Sequence, residues 1–336
     1  MKNALVLAPF TQIELARLRL AVRVTHESWL ATGRLYDPEE LGDRLAKERV
    51  AYLVIEADFV FEETMEKARE LEMVALCRNA VNHVDLAAAT ERGVLVVNAP
   101  GRNAVAVAEL TVALLLGLAR RIPQAHQYIV SGRWQDPVEA YHTFRGTELG
   151  GKTAGIIGLG AIGQMVAKRL QAFEMTMVAA DPYLAPDRAR SLGVELVPME
   201  RLLQEADYVL VHTPSISSTM GLVGREQLAL MKPGAYLVNT AAPGVVNEEA
   251  LVEALEQRRI GGAALDVFDG QPLPPSSKRL TLDNVLLTPH IGGATGETIE
   301  RHSRMIADDI LSLVEGKCPR NLVNPEAWEL RRGVAR

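Results

Sequence analysis

The stretch that decides the fold is Thr153–Phe173, TAGIIGLGAIGQMVAKRLQAF. Its first six residues form a short apolar run with the length of a strand. From Ala161 onward the apolar residues recur at helical spacing. The junction is Gly158-Leu159-Gly160-Ala161-Ile162-Gly163. Gly158 permits the tight turn, Gly160 lets a diphosphate approach the backbone, and Gly163 lets helix and strand pack closely. The helix opening at Ala161 and Ile162 offers unpaired N–H groups and the positive end of its dipole to the phosphates. A bare G-x-G-x-x-G is a weak signal, but here it lies between strand and helix as a dinucleotide site requires. The next apolar run, MTMVAA, ends at Asp181, 18 residues past Gly163. A carboxylate there accepts hydrogen bonds from the adenosine ribose and repels a 2′-phosphate, which favours NAD over NADP.

Working outward, the runs Tyr208–His212, Ala235–Asn239, Gly262–Val267 and Val285–Thr288 continue the strand pattern, with helices beginning near Ala185, Met199, Arg225 and Asn247. Right-handed crossovers between them give a Rossmann-type parallel sheet. A second α/β unit precedes it, with strands at Ala4–Ala8, Ala51–Ala57, Met73–Cys77 and Val94–Asn98 and helices at Thr11–Ala21, Glu62–Glu70 and Val84–Arg92. Near-continuous apolar strands suit a parallel sheet covered on both faces. A long apolar helix from Ala104 to Arg120, with Asn103 at its N-cap, joins the units. A last helix, Gly296 to Glu315, returns the chain, and the tail Asn321–Arg336 is expected to pack on the first unit.

The 336 residues suffice for two domains. A net charge of −6 with no basic stripe weighs against nucleic acid and anionic membrane as partners. Leu110–Ala119, the longest apolar run, is about half a membrane span. The two cysteines form no C-x-x-C, and the N-terminus reads as a strand rather than a leader, so the expected location is cytoplasmic. No His, Cys and carboxylate spacing suggests a metal.

Beyond the phosphate loop, the segments Val211-His-Thr-Pro, Met231-Lys-Pro-Gly-Ala-Tyr-Leu-Val-Asn-Thr, Ala264-Leu-Asp-Val-Phe and Leu287-Thr-Pro-His-Ile-Gly-Gly follow in order. With Asn98-Ala-Pro-Gly-Arg-Asn and Val107-Ala-Glu-Leu, they make the chain resemble the D-isomer-specific 2-hydroxyacid dehydrogenase family along nearly its whole length. The resemblance implies a Rossmann NAD-binding domain, residues 103–289, inserted into a discontinuous, flavodoxin-like doubly wound substrate domain, residues 1–102 and 290–336. It also implies a cleft between them, a small-molecule substrate and a homodimer. Carried over by position, Thr213 and Pro214 lie beside the ribose and phosphates of the cofactor, and Ala241 beside its nicotinamide half. Asp266 accepts from the carboxamide, His290 is the general acid and base, and Gly292 and Gly293 shape the loop behind it.

Three positions depart from the family's pattern. The catalytic arginine of the family's NTARG is Ala242 here, in Asn239-Thr-Ala-Ala-Pro-Gly. The glutamate that partners the histidine is Gln271, which can keep a hydrogen bond to the ring but carries no charge. The glycine-rich carboxylate loop is replaced by Cys77-Arg-Asn-Ala-Val-Asn-His. An arginine aimed at developing charge is comparable to an oxyanion-hole donor, whose loss costs about 3–4 kcal/mol. Arg78 is the candidate replacement as acid anchor, with Arg102 behind it, and Asp269 is a lesser alternative to Gln271. His83, His126 and His142 read as surface or interface residues, and His212 as structural or cofactor-adjacent. The segment Tyr128–Phe144, with Trp134 and Tyr141 in a polar setting, reads as either a dimer arm or a packed loop. The readings that follow are a dehydrogenase of a small acid, an oxidoreductase of a substrate lacking the 2-keto acid group, and a non-catalytic NAD(H) sensor. The retained His290 favours the first two, because a pure binder has little use for an imidazole beside the nicotinamide.

Overall fold

Each apolar run near the N-terminus becomes a parallel strand: β1 (Asn3–Val6), β3 (Val50–Ile55), β4 (Met73–Leu76) and β5 (Leu95–Val97), with β2 (Arg23–His26) added at the edge. The sheet order is β2-β1-β3-β4-β5, the flavodoxin-like order. The structure is a computed structural model and describes residues 1–334. Alternate residues of β1 and β3 feed two cores, one on each sheet face: Ala4, Val6, Tyr52 and Val54 on one side, Leu5, Leu53 and Ile55 on the other. The edge strand β2 escaped the sequence reading because RVTH has no apolar run and is partly exposed throughout. The helix Pro38–Lys47, capped by Asp37, was also missed.

The tail does join this unit. Leu322 bridges Val97, and Asn324 accepts from Val96 N at 2.8 Å and donates to Val94 O at 2.9 Å. Pro325–Val334 is helical, and the last two residues of the expected tail lie outside the described residues.

The second unit holds β6 (Thr153–Ile157), β7 (Thr176–Ala180), β8 (Glu195–Leu196), β9 (Tyr208–Val211), β10 (Tyr236–Asn239), β11 (Gly262–Leu265) and β12 (Val285–Leu287). Their order, β12-β11-β10-β9-β6-β7-β8, reverses at β6/β9, as in a doubly wound dinucleotide fold. The helices Ala104–Ala119 and Ala161–Leu170 cover one face, burying Leu114, Leu115, Leu118, Val166 and Leu170 against Ala154, Ile156 and Leu210. Gly117 lets the long helix come close to the sheet, since a Cβ there would meet Leu286 at 3.0 Å. Asn103 stands at that helix's N-cap but makes no side-chain cap bond.

The compact units are Met1–Arg102 with the chain from Thr295 onward, and Asn103–Ala294. The boundary expected at residue 290 therefore moves to 295. The reason is local: Ile291 N and Gly292 N both donate to Asp266, which follows β11, so the segment after β12 stays with the second sheet.

Candidate active site

The phosphate loop is set by what a side chain would meet. Gly158 has φ +89°, and a Cβ there would lie 2.9 Å from Thr213 N. At Gly163 a Cβ would fall 2.3 Å from Gly158 O, so only glycine lets the helix start this close to β6. At Gly160, by contrast, a Cβ would meet nothing within 4 Å. That open space lies in front of the helix Ala161–Leu170, whose N-cap is Gly160 and receives no side-chain cap bond. The first-turn amides of Ala161, Ile162 and Gly163 have no intrahelical acceptor by construction. A tight loop, an open space and unpaired amides fit a dinucleotide diphosphate.

Asp181 follows β7 and is half-buried. Its Oδ2 accepts from Leu159 N at 2.8 Å, and its Oδ1 from Tyr183 N at 2.9 Å and Leu184 N at 3.2 Å. The carboxylate thus braces the glycine loop while keeping lone pairs for a ribose. Thr213 is half-buried beside Gly158, and Pro214 is exposed.

Asp266 is 1% exposed. Oδ1 accepts from Thr288 Oγ1 at 2.7 Å and Ile291 N at 2.8 Å, and Oδ2 from Gly292 N at 2.8 Å. Expected to meet the nicotinamide carboxamide, Asp266 in this structure spends three bonds on the loop that carries His290. A Cβ on Gly292 would meet Asp266 Oδ2 at 3.0 Å, and one on Gly293 would meet Asn103 Nδ2 at 3.4 Å, so both glycines let this loop lie close.

His290 is exposed, with φ +55°. Its Nδ1 lies 2.9 Å from Gln271 Oε1, while Gln271 Nε2 donates to Phe268 O at 3.2 Å. The amide is therefore oriented with its oxygen toward the ring, so Nδ1 carries the proton and Nε2 is left to accept or deliver one. Asp269 does not touch the ring. Its amide donates to Glu248 Oε1 at 2.9 Å, and burial raises the pKa of its carboxyl. Ala241 and Ala242 are half-buried against the apolar core.

In the first unit, Arg102 is committed. Nη2 pairs with Glu56 Oε1 at 2.6 Å, both side chains nearly buried, and Nη1 donates to His302 Nδ1 at 2.6 Å. That removes Arg102 as an acid anchor, a choice the sequence could not make because His302 lies 200 positions away. His302 Nε2 in turn donates to Pro9 O at 2.8 Å, and burial pulls its pKa down to about 4. Arg78, at the end of β4, donates from Nη1 to His83 Nε2 at 2.9 Å and to Glu56 O at 3.5 Å. His83, expected at the surface or an interface, is 7% exposed, with its ring stacked on Phe59 at 4.6 Å. Burial, then the neighbouring Arg78, lowers its pKa. His126 and His142 are exposed, as are Trp134 and Tyr141. His212 is buried beside the phosphate loop with no partner for either ring nitrogen among the described residues, and burial pulls its pKa down to about 3.

Sheet order, phosphate loop and the Asp181 carboxylate that braces it together define a dinucleotide-binding α/β protein. Residues 112–292 match the family described as D-isomer specific 2-hydroxyacid dehydrogenase, NAD binding domain, and the chain belongs to that family. It is 42% identical over 262 residues to a D-3-phosphoglycerate dehydrogenase of Archaeoglobus fulgidus, covering 78% of this chain and 49% of that protein. It is 39% identical over 276 residues to a glyoxylate reductase of Korarchaeum cryptofilum, covering 82% of each. The chain spans about half the length of the phosphoglycerate dehydrogenases it matches. Among solved structures, the TT0316 protein of Thermus thermophilus superposes with TM-score 0.85 at 39% identity, over 96% of this chain and 99% of that one. A Sinorhizobium meliloti NADPH-dependent glyoxylate/hydroxypyruvate reductase, in complex with NADP and malonate, gives 0.77 at 28% identity over 97% of each. Among the described residues no helix is long and apolar enough to cross a membrane, and no cluster of potential ligands could hold a metal ion.

Proposed function

We propose that the protein is an NAD(H)-dependent oxidoreductase acting on a CH–OH/C=O group of a small acid. The observation that carries this is His290, exposed, tautomer-fixed by Gln271, and mounted on a loop tied to the end of β11 by Asp266. A nicotinamide dinucleotide bound at the phosphate loop supplies or takes up hydride. The chain's own task is the proton. In reduction Nε2 of the imidazolium donates to the carbonyl oxygen, and in oxidation Nε2 of the neutral ring accepts the hydroxyl proton. Asp181 selects NAD over NADP, Thr213, Pro214 and Ala241 line the cofactor, and Arg78 anchors the acid. Exposed Ile129, Val130, Trp134, Val138 and Tyr141 on the segment after the long helix support a homodimer arm. The cell interior is the proposed location, in keeping with two free thiols.

A second reading has its own support. The apolar setting of Ala242 favours an oxidoreductase whose substrate lacks the 2-keto acid group at that position. The test is a panel of 2-keto acids and simple ketones assayed with NADH, beside the Ala242→Arg variant. Acid turnover by the parent supports the first reading, and ketone turnover alone supports the second. Tight NADH binding with no turnover of either class, in parent or variant, overturns both in favour of a sensor.

A further inference from the structure

A guanidinium has five N–H donors in a planar fork. Nη1 of Arg78 is spent on His83 Nε2 and Glu56 O. Nε and Nη2 have no partner among the described residues, and neither counts among the buried polar atoms left unsatisfied, so this edge stays within reach of a ligand. Glu56, the neighbouring carboxylate, is matched by Arg102 instead. Arg78 is therefore a half-buried cation with no ion-pair partner among the described residues, an arrangement that calls for an anion. The open Nε–Nη2 edge is the one that pairs with a carboxylate through two parallel bonds.

His83 decides where that edge stands. Because arginine only donates, His83 Nε2 must accept. The ring is then neutral with its proton on Nδ1, which donates to Asn82 Oδ1 at 3.1 Å. Phe59 stacks on the ring face at 10° to its plane, and His83 O accepts from Val60 N at 2.8 Å. We propose that His83 is a positioning residue that pins Nη1 of Arg78 and so presents its Nε–Nη2 edge as a two-pronged receptor for the carboxylate of the substrate. This rests on the reading of Arg78 as the acid anchor.

The test is calorimetric titration of the full-length, NADH-loaded protein with oxamate, oxalate and malonate, and KM and kcat for any 2-keto acid turned over. His83→Leu removes the acceptor and is expected to weaken carboxylate binding roughly tenfold, with kcat kept within about twofold. His83→Gln places an amide oxygen near the position of Nε2 and should restore affinity to within about threefold. In an Arg78→Ala background, His83→Leu should add nothing. If His83→Leu does not fold, His83→Asn, whose amide stops short of Nη1, takes its place with the same expected loss. Parent-like affinity in His83→Leu or His83→Asn, with affinity lost in Arg78→Ala, overturns the role of His83 and leaves the anchor standing. Parent-like affinity in Arg78→Ala, or no carboxylate binding by the parent, overturns the anchor and the inference with it.

Discussion

Gly160 and Gly163 stand three residues apart in one loop, yet a methyl group added to each should do different damage. At Gly163 the new Cβ would lie 2.3 Å from Gly158 O, a backbone atom, so strand and helix must separate by most of an ångström to relieve it. Overpacking of that kind costs about 1–3 kcal/mol. In a unit of this size, 1 kcal/mol moves the melting temperature by about 2–4 °C, so Gly163→Ala should melt roughly 2–12 °C lower and bind NADH poorly. Gly160 has φ −74° and ψ −157°, extended backbone open to any residue, and its Cβ would point into space empty to 4 Å. Gly160→Ala should therefore melt within about 1 °C of the parent, as a surface change does. What it loses is ligand, because the methyl fills the space a diphosphate needs. Charge-assisted hydrogen bonds are each worth about 1.5–3 kcal/mol, so displacing one raises the NADH Kd about 10- to 150-fold. Thermal melts and NADH fluorescence titrations read both quantities. A Gly160→Ala protein with parental affinity would show that no diphosphate lies against this loop, and an unchanged melt of Gly163→Ala would refute the packing argument.

His290→Ala should lower turnover by about 10²–10⁴ while NADH affinity stays within twofold, and steady-state rates beside a binding titration check this. Gln271→Glu puts a negative charge where Nδ1 is now held by a neutral amide, so the His290 limb of the kcat/KM profile, the alkaline one in reduction and the acidic one in oxidation, should move to higher pH by about one unit. An unmoved profile would mean that the ring does not titrate in catalysis. Ala242→Arg should bring or raise 2-keto acid reduction, and an inert variant that still binds NADH argues against a simple loss of the arginine. Acid should destabilise the fold through His212, whose pKa is pulled down to about 3 by burial, against an unfolded value of about 6.5. The unfolded chain binds the extra proton, so this contribution is intact above pH 6.5 and is lost as pH falls toward 3. At pH 5 the loss is about 2 kcal/mol. His212→Leu should melt with a correspondingly shallower decline between pH 7 and 5, and parallel curves would show that His212 is not buried neutral.

The second sheet was legible because its signals are local. Strand, glycines, helix and Asp181 follow within one crossover, and each has a physical reason to stand at its spacing. The first sheet was legible only where strands are buried on both faces. The edge strand β2 was invisible because RVTH meets solvent and carries no apolar run. The same limit governed the site. Gln271 could be paired with His290 through the family's spacing, whereas nothing in the chain near Arg102 announces His302 or Glu56, which arrive from a distant helix and from the end of β3. For His83, expected at the surface or an interface, the burial was not legible because the stacking partner Phe59 lies 24 positions upstream.

Arg78 and Arg102 leave the ends of adjacent strands and look alike in sequence. What separates them is a single carboxylate. Glu56 Oε1 is 2.6 Å from Arg102, so that guanidinium has its counter-charge and can take an external acid only by giving it up. Arg78 receives only the neutral carbonyl of Glu56 and a neutral imidazole. Both hold the side chain in place without cancelling its charge, so an incoming carboxylate at Arg78 displaces water rather than an existing ion pair. That asymmetry is why we propose Arg78 rather than Arg102 as the anchor.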